Sequence, residues 1–280
     1  VDPDLWAAIG ELDPPQRAAL LLNVLAGYTR AEIGELPHVP PGNFPTSSTT
    51  IFKKNPFPIM AVHPIEERYG TKEMRAVWSE QNRFSCIVKA EVALAKAEAV
   101  CGMIPPTAAL EIEENAPAAS LERAKQIEAE ISHDMMAIVK AIAEVCGESG
   151  RWVHYGATSN DILDTATGLQ LGQSLDLLDL KLRGLLAVLL KRADELKTLV
   201  CIGRTHGQHG VPTTYGLRFA IWASEVSRHI ERLAQLRPRV VVGQMTGAVG
   251  TQAAMGKKGM EVQAAMMEYL GIGSVDVSNQ

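Results

Sequence analysis

From Asn160 to about Leu199 the chain carries no proline, and two of its glycines, Gly168 and Gly172, fall early in that stretch. Uninterrupted and rich in Leu, Asp and Lys, it is predicted as one continuous helix. At 1.5 Å per residue such a helix is about 60 Å long. A rod of that length cannot close on itself. It needs long neighbours, so the architecture it imposes is an extended helical bundle whose apolar faces seek partners in other subunits.

The remaining chain agrees with this reading. Aromatics make up only 5% of the 280 residues, against 46% apolar overall. Unbranched Ala, Leu, Glu and Met dominate, and these lose little rotamer freedom in a helix. Met74, Val77, Trp78, Ile87, Val88, Leu94 and Ala95 recur at helical spacing until Gly102. Pro105-Pro106 opens a short helix to about Glu114. Ser120 caps another that is expected to run to Cys146. After a loop at 151–159 comes the long helix. A second long helix is expected after Pro212, running to about Leu236, and a third from about Lys257 to Leu270. The fold class predicted is all-α, with an N-terminal helical domain over 60–150 and a long-helix bundle over 151–280.

Residues 1–59 form a different region. HVPPGNFPTSSTTIFKKNPFPI at 38–59 has the composition of a linker. The segment before it, ELDPPQRAALLLNVLAGYTRAEIGELPHVPPG, weakly resembles region 4 of a bacterial sigma factor. The resemblance stops at Gly42-Asn43-Phe44, where a recognition helix should run. With six acids and four bases, the region lacks the basic character of a DNA reader. It reads as a partial helical hairpin, a fusion remnant or translated upstream sequence, and Met60 would make a natural start.

Charge and cysteine content exclude several functions. The net charge is -5 and no basic block occurs, so nucleic acid is not an expected partner. Cys86, Cys101, Cys146 and Cys201 are far apart and read as reduced thiols, which with the absence of a basic-then-apolar leader suggests a cytoplasmic protein. No apolar run approaches the ~18 residues of a membrane span.

Three segments gather hydroxyl, amide and acidic groups around an imidazole: ISHDMMA (131–137), WVHYGATSND (152–161) and GRTHGQHGVPTT (203–214). The last two are expected as loops at the mouths of long helices, where free N–H groups and the positive dipole end suit carboxylates and phosphates. His206 and His209 are three apart in glycine-rich loop without neighbouring carboxylates or an HExxH pattern, so no metal site is expected. Nucleophile elbows and phosphate-binding glycine loops are absent from the sequence. Any one of these histidines could be an ordinary structural residue, and His133 beside Asp134 is also the pattern of a surface pair. The same chemistry repeated in three loops is what singles them out.

HPIEERYG (63–70), SHD (132–134), GATSNDILDTA (156–166), GRTHGQHGVPTTYG (203–216), GQMTGAVGTQAA (243–254) and VSNQ (277–280) resemble, in order and spacing, the signatures of the adenylosuccinate lyases. These are all-helical members of the fumarase/aspartase superfamily. The resemblance covers Met60 to Gln280. It implies elimination of fumarate from adenylosuccinate, giving AMP, and from the succinylated aminoimidazole carboxamide ribotide of purine synthesis. The reaction uses no metal or organic cofactor and occurs in a homotetramer whose sites are shared between subunits.

The same resemblance implies roles for individual residues. Arg68 and Tyr69 would hold the nucleotide phosphate. His133 and Asp134 would contact substrate, although Ser132 stands where many members carry Arg. Thr158 and Ser159 would bind a succinyl carboxylate, and His154 would also face the site. His206, preceded by Thr205, would be the general acid that protonates the departing nitrogen, and Gln280 a substrate contact. The general base resembles a serine on a mobile SSxMPxKxNP-type loop that these 280 residues do not include, so the chain alone is expected to be inactive or nearly so. The nearest alternatives are other lyases of the superfamily, such as argininosuccinate lyase, fumarase or the carboxymuconate cycloisomerase. A transcription-factor fragment and a helical assembly module are more distant ones.

Overall fold

The computed structural model describes residues 69–278, all within the compact unit Pro64–Gln280. Arg68, Gln280 and the whole of the 1–59 region lie outside the described residues. Eight helices dominate: α1 (Lys72–Val77), α2 (Glu80–Val100), α3 (Pro106–Asn115), α4 (Leu121–Ile131), α5 (Asp134–Val145), α6 (Ser159–Glu195), α7 (Tyr215–Val240) and α8 (Gly259–Leu270). A hairpin of β1 (Val200–Thr205) and β2 (Gln208–Thr214) joins α6 to α7, and the short parallel pair β3 (Val242–Gly243) and β4 (Gly273–Ser274) flanks α8. The fold is all-α, as the helical spacing predicts, with only two short two-stranded sheets among the described residues.

The helix starts follow local chemistry. Ser79 and Ser120 each accept a backbone N–H from the first turn of α2 and α4, and Pro106 opens α3. Two expected helices are broken in two. Ser79 interrupts the first run because its hydroxyl caps α2 and its backbone is extended. The expected 120–146 helix breaks at Ser132, which is left-handed (φ 54°), and His133 restarts it as the N-cap of α5.

Helix α2 is the hub of the core, packing against α3, α6 and α8. Ile87, Leu94, Ile112, Met135, Ile142, Ile162, Val262 and Met266 are almost wholly buried there. Each such side chain contributes about 1.5–3 kcal/mol of burial. The first half of α6 enters this core through Ile162, Thr165, Ala166, Gly168 and Gly172. Gly168 lies so close to the extended segment after α7 that a Cβ would overlap the Val242 carbonyl oxygen.

The second half of α6 leaves the core and packs chiefly against α7, with Lys181 also reaching Glu73 of α1 at 3.7 Å. Leu189, Ala223 and Val226 form a small separate cluster with Leu182, Leu186, Phe219 and Ile230 around it. Leu180, Leu185, Val188 and Leu190 of α6, and Leu217, Ile221 and Trp222 of α7, remain exposed. These apolar side chains are not covered by any of the described residues.

The segment expected as a loop at 203–214 is a β-hairpin. Its register shifts between Ile202 and Arg204, and the tight turn is His206-Gly207, both with positive φ (54° and 71°), the geometry of a type I′ connection. Pro212 lies in β2 rather than in the first turn of α7, which starts at Tyr215. The Thr–His–Gly sequence reads as loop because the usual Asn-Gly turn signal is missing and histidine takes the left-handed position.

Two glycines of α6 separate close packing from backbone propensity. Gly168→Ala should destabilise the chain by about 1–3 kcal/mol through overpacking. Gly184→Ala, with open space around its Cβ position, should stabilise it by about 0.5–1 kcal/mol. Urea denaturation followed by circular dichroism measures both.

Candidate functional site

Two of the three imidazole-bearing segments lie at one end of the bundle. Thr158 is the N-cap of α6 and Ser159 its first residue, so the free N–H groups of a 37-residue helix open beside them. His154 sits four residues earlier with left-handed backbone (φ 65°). Its Nδ1 is 2.7 Å from Oε1 of Glu91 on α2. The His154 ring is 13% exposed and Glu91 is fully covered. Burial acts to lower the His154 pKa, but the Glu91 hydrogen bond and charge, with Asp161 beyond, outweigh it and the net direction is upward.

Asp161 organises this end. Fully buried, it accepts the Thr158 N–H at 3.0 Å with Oδ2, the Thr246 N–H at 2.8 Å with Oδ1, and the Gly247 N–H at 3.0 Å with Oδ2. The segment 244–247 is buried and belongs to no strand, so its amides need partners among side chains. Thr165 Oγ1 takes the Gln244 N–H at 3.1 Å and Gln263 Oε1 takes the Met245 N–H at 2.9 Å. Side chains of α6 and α8 thus supply every acceptor, and the GQMTG strand is fixed against the start of α6.

His133 and Asp134 mark the break between α4 and α5. His133 Nδ1 accepts the Met136 N–H at 3.2 Å, which places the ring proton on Nε2 when the imidazole is neutral. Both side chains are more than half exposed. Asp134 lines a shallow cleft with Arg83, Lys125, Ile138 and Leu163, the last on the second turn of α6. Tyr69 is exposed near the start of the described residues.

Thr205 and His206 are elsewhere. Both are exposed, at the tip of the hairpin that follows the other end of α6. The helix between Ser159 and Glu195 is about 55 Å long, and strands of six and seven residues reach about 20 Å. One chain therefore keeps His206 tens of ångströms from Thr158 and His154. It brings His154, Thr158 and Ser159 together and does not bring His206 to them.

Three residues of this end escape the sequence reading: Glu91, Glu98 and Asp161. Glu91 and Glu98 carry a signal, since with Ile87 and Leu94 they continue the apolar stripe of α2 at four-three-four spacing. An acid on a buried stripe needs a reason. Glu98 has neither carboxyl oxygen hydrogen-bonded among the described residues, and burial, reinforced by the Glu91 charge, pushes its pKa up to about 9. No group of three or more His, Cys, Asp or Glu side chains suited to a metal occurs among the described residues.

Residues 67–280 match the protein family described as lyase. The chain is 53% identical over 224 residues to an adenylosuccinate lyase of Methanocaldococcus jannaschii, an overlap that covers 79% of this chain and 48% of that protein. To an adenylosuccinate lyase of Pyrococcus horikoshii it is 52% identical over 223 residues, with 79% and 50% covered. Among solved structures it is similar to a fumarate lyase from Mesorhizobium sp. BNC1, with a TM-score of 0.70 and 35% identity over 73% of this chain and 49% of that one. The chain spans about half the length of the relatives it matches.

Because Glu98 holds its proton in the folded state well above the ordinary carboxyl value of 4.5, the folded state binds one more proton than the unfolded state between pH 4.5 and about 9. Stability should fall as pH rises through that window. Glu98→Gln should match the parent near pH 5 and exceed it increasingly toward pH 8.5. Urea midpoints measured across this range test the trend.

Proposed function

The chain belongs to the lyase family of the fumarase/aspartase superfamily, and on that premise we propose that it forms part of an adenylosuccinate lyase, releasing fumarate from succinylated purine nucleotides in purine biosynthesis. The observation that carries the proposal is the α6 N-terminus. Thr158, Ser159 and the free amides offer donors to a carboxylate, and His154 stands beside them. These groups match what the reaction demands. A C–H next to a carboxylate must be deprotonated, the resulting dianionic carbanion stabilised by fixed donors, and the departing nitrogen protonated.

In this reading His206 is the general acid, with Thr205 beside it. An imidazole that titrates near neutrality can donate a proton at physiological pH. His133 and Asp134 contact substrate from the α4–α5 break, and Arg68, Tyr69 and Gln280 complete the nucleotide site. Arg68 is suited to a phosphate by its planar bidentate fork. The proton is abstracted by a serine loop of the family's kind, which is not among these 280 residues.

His206 reaches the site from another subunit, since its own α6 holds it away from Thr158. The apolar face of α6 and α7 supports assembly into a homotetramer that pairs the hairpin of one chain with the helix mouth of another. A cytoplasmic location fits the four free cysteines. No helix among the described residues is long and apolar enough to cross a membrane.

The test uses the complete enzyme of which this chain is a part, with adenylosuccinate as substrate and AMP and fumarate as measured products. Turnover is the expected result; activity on argininosuccinate alone would replace this reading with that of another superfamily lyase. His206→Asn should lower kcat by about 10²–10⁴-fold, with the fold retained because asparagine also accepts the left-handed backbone of this turn. A loss below tenfold would remove His206 from proton transfer.

A further inference from the structure

Glu91 is a fully buried acid whose only hydrogen bond among the described residues goes to His154, 63 positions away. Its second oxygen, Oε2, is buried without a hydrogen-bond partner. A carboxylate placed this way costs stability unless its charge is compensated. His154 supplies the compensation, and its left-handed backbone turns the ring toward α2 instead of out to solvent. The two features fit a device for orientation better than a device for stability.

Resting on the reading above, we propose that Glu91 is a positioning residue: it takes the Nδ1–H of His154 and thereby fixes the imidazole so that Nε2–H is presented as a donor to the anionic substrate at the mouth of α6. The geometry assigns the tautomer. With Nδ1 at 2.7 Å from a carboxylate oxygen, the proton on Nδ1 is shared with Glu91. Nε2 has no hydrogen bond within the described residues, and the ring retains an open edge.

The charged groups that act on the ring are Glu91 of α2 and Asp161 of α6, while Glu98, two turns further along α2, acts on Glu91. From the 254–255 segment, Ala254 and Met255 add only apolar atoms beside Gly156. Burial keeps Glu98 protonated near neutrality, so it does not compete with Glu91 for the imidazole. Asp161 is already occupied by three backbone amides. Glu91 is thus the acceptor that orients His154, and the net upward direction of the His154 pKa agrees with a ring that holds its second proton beside a carboxylate.

NMR of the unmodified 280-residue chain, with isotope-labelled histidine and His154→Gln to assign the resonance, decides the matter without any assay of activity. Nδ1 of His154 should be protonated at neutral pH, and the ring should titrate above the ordinary value near 6.5. A bare Nδ1, or titration below that value, would overturn the proposal. In Glu91→Gln, which keeps the shape and removes the charge, titration should move down; Glu91→Asp should restore part of the difference. No movement in a folded Glu91→Gln chain would also overturn it.

In the complete enzyme Glu91→Gln should raise KM for adenylosuccinate by about tenfold with a smaller effect on kcat, and shift the acid limb of the kcat/KM profile. A purely structural role would lower the melting temperature and leave KM and the pH profile in place. Absence of turnover in the parent enzyme would count against the proposed function, while the NMR result would still decide the role of Glu91.

Discussion

The length of α6 governs how this chain can do chemistry. Thirty-seven residues of unbroken helix hold Thr158 and Ser159 at one end and feed the His206 hairpin at the other. No bend of a tight turn can fold about 55 Å of helix back on itself. Under the proposed function the two halves of the chemistry are therefore separated by construction, and the helices that separate them also carry exposed apolar side chains. Leu180, Leu185 and Val188 on α6 and Ile221 and Trp222 on α7 are left uncovered by the described residues. Assembly and catalysis become one requirement under the proposed function.

The end that is complete within one chain is rigid for a different reason. The GQMTG segment has no sheet neighbour to satisfy it for most of its length. Asp161, Thr165 and Gln263 take its amides one after another. Small residues on α6 let it lie close, and Gly243 itself would put a Cβ 2.6 Å from Met267 Sδ. Buried polar networks of this kind are stable only when each member is paired, and here the amides are. Glu98 and Oε2 of Glu91 are unpaired; Glu98 avoids the cost of a bare charge by staying neutral, and Glu91 is compensated through its other oxygen by His154. The start of α6, with the donors at its mouth, is thereby held in place.

Much of this was legible in the sequence because helical period and punctuation are local. The α6 rod, the Pro106 start of α3, the Ser120 cap and the α8 segment after its glycine-rich turn all follow from nearest neighbours along the chain. The imidazole loops could be named, and their order matched the lyases. What the sequence did not yield depended on distant partners. The hairpin at 200–214 is set by cross-strand pairing and a left-handed histidine, which no period of four reveals. The break at Ser132 needs a residue at positive φ that is not glycine. Asp161 looks like an ordinary first-turn acid until Thr246 and Gly247 arrive from 85 and 86 positions away. Glu91 was visible only as an acid on an apolar stripe; its partner His154 is supplied by the fold.

The central claim, that an active site joins the hairpin of one chain to the helix mouth of another, has a direct measurement. Two variants of the complete enzyme, His206→Asn and Thr158→Ala, each impaired alone, are unfolded together, reassembled in equal amounts and assayed on adenylosuccinate. Sites shared between subunits should recover about a quarter of the parent activity by random mixing of chains. Activity no greater than the average of the two separate variants would contradict the account, because it would mean that His206 and Thr158 serve the same site from the same chain.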